Sequence, residues 1–203
     1  MVEIRDEHYE WAAIDRLGKM LKFPHSRFKT THTYSTFTAI LCWTTQRIRT
    51  SPIRPGNDIN VRPAPENDPN FHVFDAIQIA LHNESIEGFF GKLPKASGNL
   101  NSVRLEDDCG SPISALSFLV ALRNAVAHGD GRSVKPVNRP NQLVGFEFKL
   151  SSPRNFPKWS SVTQLNRRAQ VQLAGKMADV FCEKFREQHS VTESDLVSIV
   201  ESE

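Results

Sequence analysis

The chain has 203 residues, with 25 Lys and Arg against 23 Asp and Glu and a formal net charge of +2, so bulk charge neither demands nor excludes nucleic acid and local clustering must decide. A chain of this length can bury a good core as one domain. Glu3, Asp6, Glu7 and Glu10 leave no apolar core for a signal peptide, and no run approaches a membrane span. Cys42, Cys109 and Cys182 are far apart without Cys-x-x-Cys spacing, so reduced thiols, a cytoplasmic setting, no structural metal and no cofactor are expected.

Residues 4–21 carry Ile4, Trp11, Ile14 and Leu21 near helical spacing, with Leu17 and Met20 broadening the stripe, and predict an amphipathic helix. Residues 22–29, Lys-Phe-Pro-His-Ser-Arg-Phe-Lys, then interleave cations and rings. Arg27 and Lys29 beside Phe23 and Phe28 suit a single-stranded nucleic acid, with cations on phosphates and rings stacked on bases. The same residues also suit an inter-helix loop held by two buried Phe anchors. Residues 34–49 predict a second helix around Phe37, Ile40, Leu41 and Ile48, although the Thr content leaves a strand as the alternative. Arg47, Arg49 and Arg54 form a basic patch, of which Arg47 and Arg49 are candidate RNA contacts. From there to residue 69 the chain holds Pro, Gly, Asn and Asp without periodicity, which reads as a long loop.

Residues 71–90 predict one helix, buried along Val73, Phe74, Ile77, Leu81 and Ile86 and capped by Asn70 or Asp68. Asp75 lies within this apolar stretch. It either faces solvent or orients Arg123 or His128 from a neighbouring helix, as carboxylates do in acid–base sites. His82 has no His or Cys nearby at metal-ligand spacing. Residues 91–110 are a polar loop ending in Glu106-Asp107-Asp108.

Residues 111–130, SPISALSFLVALRNAVAHGD, run without a charge as far as Leu122. Ser111 is the expected N-cap and Pro112 the first helical residue. Ile113, Leu116, Leu119, Val120, Val126 and Ala127 fall on one face, and the small Ser114, Ser117, Ala121 and Ala125 on the other. A helix without a charged face is normally buried all round. Arg123 is the anomaly: a guanidinium among apolar side chains needs a carboxylate, carbonyls, a bound anion or a wet groove. Asn124 and His128 lie one helical turn apart, and Gly129 and Gly131 suit the helix end. A cation, an amide and an imidazole thus converge at one helix terminus, a set suited to handling phosphate.

Beyond it, Arg132, Lys135 and Arg139 decorate a short segment, and Arg132 and Lys135 join the candidate RNA contacts. Val144, Phe146, Phe148 and Leu150 alternate with Gly145, Glu147 and Lys149, a period-two strand, with Pro140-Asn141 as the turn of a small hairpin. Arg154, Phe156, Lys158 and Trp159 read as a second basic–aromatic loop. Residues 162–188 predict a long helix buried along Leu165, Ala169, Leu173, Met177, Val180, Phe181 and Phe185, and an acidic tail follows. There is no internal repeat, Walker-type loop or nucleophile elbow.

The segment Arg123-Asn124-Ala125-Val126-Ala127-His128 resembles the signature of the HEPN superfamily: Arg, a polar residue, then His after four to six intervening positions, late in a long helix. The resemblance covers roughly residues 71–188; nothing in residues 1–70 carries it. With the strand pattern, the expected fold is mainly α, a HEPN-like helical bundle with long inter-helix loops and a small β-hairpin after the motif helix. That single domain over 1–203 would comprise an N-terminal helical extension and loop (1–70), a core bundle (71–188) and an acidic tail (189–203). The resemblance implies a homodimer formed along the 111–128 helix and a metal-independent endoribonuclease with Arg123, Asn124 and His128 as catalytic residues. It further implies a toxin–antitoxin or anti-phage defence role, with an antitoxin or nucleotidyltransferase as partner. Two other readings fit the same residues. One is a non-catalytic module binding RNA, a nucleotide or a protein partner. In the other, Arg123 forms a buried bridge to Asp75 or another acid, and Asn124 and His128 only terminate the helix.

Overall fold

The computed structural model describes residues 8–23, 27–48, 70–93, 103–128, 132–154 and 156–189. Within them the chain is mainly helical with one small antiparallel sheet. The order is α1 (Tyr9–Lys22), α2 (Lys29–Ile48), α3 (Phe71–Asn83), α4 (Ile86–Phe90), α5 (Ala115–Ala127), β1 (Val134–Arg139), β2 (Gln142–Ser151), β3 (Ser160–Asn166) and α6 (Arg167–His189).

The apolar stripes set the packing. Leu173, Met177, Phe181 and Phe185 of α6 are buried against α1, α2 and α3, and Trp11, Ile14, Phe37, Ile40 and Leu41 enter the same core. Helices α1 and α2 are therefore integral to the core that also holds α5. Gly18 lets α1 approach α6 closely, since a Cβ there would lie 3.2 Å from the Ala178 methyl. Segment α2 is a helix despite its threonines, several of whose hydroxyls bond back to the preceding turn. Thr36 donates to the His32 carbonyl (3.0 Å) and Thr44 to that of Ile40 (2.7 Å).

A buried polar cluster ties four of these helices together. Glu10 of α1, 1% exposed, accepts hydrogen bonds from Trp43 Nε1 (3.1 Å) and Asn70 Nδ2 (2.7 Å) and pairs with Arg47 Nε (2.7 Å). The Arg47 guanidinium lies 4.6 Å from the Phe74 ring centre, and Asn70 Oδ1 is 2.8 Å from His189 Nε2 at the end of α6. Asn70 sits at the N-cap position of α3 without capping it, its side chain being taken up by these longer-range bonds.

The structure departs from the sequence expectations at several element boundaries. The helix expected over 71–90 breaks at Ser85, which is extended and caps α4 by accepting from the Gly88 amide (3.1 Å). The motif helix starts at Ala115 with Ser114 as N-cap; Ser111 and Pro112 lie before it in extended chain. There Ile113 donates to the Leu105 carbonyl (2.8 Å) and accepts from the Ile86 amide (3.3 Å), so pairing with two neighbouring segments outcompetes an earlier helix start. In the loop before the motif helix the Asp107 carboxylate accepts the Cys109 and Ser111 amides, both at 2.9 Å. Finally, the helix expected from residue 162 begins at Arg167, because residues 160–166 form a third strand. Asn166 Oδ1 accepts from the Ala169 amide (2.9 Å) at that start.

The expected hairpin is thus two-thirds of an antiparallel sheet ordered β1-β2-β3. Arg139 pairs with Gln142 around Pro140-Asn141, and Asn141 takes φ 60°, which fits Pro then Asn in a type II turn. The register slips by one residue between Val137 and Asn138. Gly145 faces Asn166 across β2 and β3, where a Cβ would lie 2.5 Å from the Leu165 carbonyl oxygen. Trp159 is the other correction. It leaves the expected basic–aromatic loop for the core, 4% exposed, and its Nε1 donates to Ser117 Oγ (3.0 Å) on the small-residue face of α5. The beginning of the first helix, the loop to residue 69, Asp68, Gly129, Gly131 and the acidic tail lie outside the described residues.

Candidate functional site

Helix α5 carries its apolar run into the core and delivers polar groups at its C-terminal end. Ala115 through Leu122 are all buried, whereas Arg123 and Asn124 are half-buried and His128, the C-cap, is exposed. The His128 amide closes the last turn onto the Asn124 carbonyl (3.0 Å). Arg123 is thus not locked in the core. It emerges where α5 meets α2, and its two η nitrogens donate to Gln46 Oε1 and to Asn124 Oδ1, the latter at 3.3 Å.

Both acceptors are neutral amides. Asp75 is buried on α3, 8% exposed, so it does not lie on a solvated face, and neither hydrogen bond of Arg123 goes to it. The bridge proposed between Arg123 and Asp75 is therefore absent. Moreover, α2 and α5 contain no Asp or Glu over their 20 and 13 residues. Helices α2 and α5 thus give the Arg123 charge hydrogen-bonding partners and no carboxylate of their own.

The seam continues along α2. Tyr34, Thr38, Cys42 and Gln46 recur every fourth residue, so they line one face. Burial pushes the Cys42 thiol up, and the Arg123 charge opposes it. Burial likewise raises the Tyr34 phenol, whose ring stacks on Phe146 of β2 with centroids 3.9 Å apart. Gln46 was not among the residues anticipated from sequence. The available signal was the four-residue polar spacing on an acid-free helix; which residue would meet Arg123 is a tertiary fact.

The candidate RNA contacts are dispersed. Arg27 and Lys29 are exposed at the start of α2, and the Arg27 guanidinium lies 5.6 Å from the Phe28 ring centre. Phe23 and Phe28 are 68% and 67% exposed, which overturns the buried-anchor alternative. Lys29 and Gln46 are 17 residues apart in one helix, hence about 26 Å at 1.5 Å per residue, so this cluster lies at the far end of α2 from Arg123. Arg47 is committed to the buried Glu10 cluster. Arg132 and Lys135 are exposed; Lys135 stands opposite Glu147, on the sheet face away from Phe146 and Phe148. Arg49 lies outside the described residues. The structure therefore brings Arg123 and Asn124 together with Gln46 and sets His128 at the end of the same helix, while Arg27 and Lys29 lie at the far end of α2 and Arg47 is turned to Glu10.

Among the described residues no group of three or more His, Cys, Asp and Glu is arranged to hold a metal ion, and no helix is long and apolar enough to cross a membrane. In comparison with known proteins, no family model, characterised protein or solved structure matches this chain.

Proposed function

We propose that the chain is a metal-independent endoribonuclease of HEPN type, acting at a composite site where two copies meet at the exposed C-terminal end of α5 and not along its length, since Ala115–Leu122 are buried within one copy. The observation that carries the reading is the half-exposed Arg123, held by two amide oxygens between acid-free helices, with the exposed His128 just over one turn further on. A guanidinium has five N–H donors. Two are engaged here, both by neutral acceptors, which leaves donors for a phosphate fork.

In the proposed reaction the substrate's ribose 2′-oxygen attacks the adjacent phosphorus as a base takes its proton. The P–O5′ bond then breaks, and an acid protonates the leaving 5′-oxygen. The products are a 2′,3′-cyclic phosphate and a 5′-hydroxyl. Arg123 stabilises the charge growing on the non-bridging oxygens, and His128 transfers one of the protons. Asn124 holds Arg123 on its own helix. Because α5 supplies a single histidine, a second copy related by twofold symmetry contributes the other proton-transfer group. A toxin–antitoxin or anti-phage setting, with an antitoxin or nucleotidyltransferase partner, accords with that chemistry.

The test is incubation of purified protein with total RNA in EDTA beside the His128→Ala variant, followed by analysis of the termini. The expected result is cleavage by the parent only, leaving cyclic-phosphate ends. Cleavage that persists in His128→Ala, or that EDTA abolishes, refutes the reading. The single histidine of α5 also favours a non-catalytic module that binds RNA, a nucleotide or a protein partner; it predicts saturable binding, lost in Arg123→Ala, without cleavage.

A further inference from the structure

Resting on the reading of Arg123 as the phosphate clamp, we infer that Gln46 is a positioning residue for that clamp: a neutral acceptor on α2 that aims the guanidinium without neutralising it.

An arginine side chain on a helix end has several rotatable bonds, and a clamp must present its fork in one plane. Asn124 engages one η nitrogen from the same helix. Gln46 engages the other from across the seam, so the pair of bonds fixes the fork relative to both helices. The chemistry of the acceptor matters as much as its place. A carboxylate at position 46 would hold Arg123 more tightly but would occupy it as a counter-ion, in competition with phosphate. An amide oxygen gives direction and leaves the charge. Gln46 itself is exposed, so the bond sits at the rim where a ligand arrives, and substitution there leaves the core intact. The rest of the stripe, Tyr34, Thr38 and Cys42, carries no carboxylate either, so Gln46→Glu would introduce the first acid on either helix.

The experiment uses the full chain with a fluorescent, non-cleavable 2′-O-methyl RNA single strand of about a dozen nucleotides, in the Gln46→Ala, Gln46→Glu and Arg123→Ala backgrounds. Gln46→Glu is expected to weaken binding roughly tenfold or more, as loss of a charge-assisted contact does. It should also lower the salt dependence by about one phosphate contact, at an unchanged or higher melting temperature. Gln46→Ala should weaken binding several-fold, and on natural RNA should lower kcat more than it raises KM. Adding Gln46→Glu to Arg123→Ala should cost nothing more. Wild-type binding by Gln46→Glu, or an equal loss when Arg123 is already absent, overturns the inference. If the parent binds but never cleaves, the nuclease reading fails while the positioning role stands on binding. If the parent cleaves and the Gln46 variants match it, the positioning role fails alone. If the parent neither binds nor cleaves, both fall.

Discussion

Replacing Glu10 by Ala should destabilise the fold more than any surface change. Its carboxylate is 2% exposed and holds Arg47 Nε at 2.7 Å, while also accepting from Asn70 at 2.7 Å and Trp43 at 3.1 Å. Truncation leaves the Arg47 charge, itself only 26% exposed, without this partner and deprives two further donors of their acceptor. Breaking a buried pair in this way costs about 3–5 kcal/mol. For a chain of this size each kcal/mol moves the melting temperature by about 2–4 °C, so the expected drop is roughly 6–20 °C. Glu10→Gln keeps an acceptor and loses the charge, and should cost about 1.5–3 kcal/mol. Thermal and urea unfolding followed by circular dichroism would read both. The same series decides what Arg47 is for: Arg47→Ala should melt low, whereas an Arg47 kept for RNA would lose affinity at an unchanged melting temperature. A Glu10→Ala protein that unfolds like its parent would refute the argument that this cluster joins α1, α2, α3 and α6.

Two further outcomes follow from the geometry. Burial pushes the Cys182 thiol from 9.0 up to about 12, so the folded chain keeps a proton that the unfolded chain releases. The stability this contributes is present below about pH 9 and is lost as pH rises toward 12; melting between those values should fall less steeply in Cys182→Ala, and the exposed Cys109 should be alkylated before Cys42 or Cys182. Gly145→Ala forces a methyl against the Leu165 carbonyl, 2.5 Å from an ideal Cβ, and should cost about 1–3 kcal/mol by the same melts, since overpacking strains a close approach.

Secondary structure was legible wherever one periodicity ruled. The stripes of α1, α2, α3 and α6 and the alternation of β2 follow from their apolar spacing. The failures fall where two local codes compete. Residues 160–166 carry apolar positions that fit the start of a helix, yet they pair with β2 along its length, and Asn166 then opens α6. Pro112 has the form of a first helical residue, but bridges to Glu106 in extended chain. In each case backbone pairing with a neighbouring segment overrode the local helix signal, and the apolar spacing of the residues does not announce that pairing.

The candidate site divides in the same way. A charge-free run ending in Arg-Asn-x-x-x-His states by itself that a cation, an amide and an imidazole leave a buried helix together, because their spacing is set by the pitch of that helix. That α2 lacks acids is also plain in its composition. Which cations stay available depends on three-dimensional packing. Arg47 and Arg123 both lie near the C-terminal ends of helices that contain no acid, but one meets a buried carboxylate 37 positions away and the other a glutamine 77 positions away. Helical pitch acts over one or two turns and can be read along the chain, whereas the partner of a side chain is chosen by how whole helices stack. Only the folded core distinguishes an arginine used as a structural strut from one left to grip an anion.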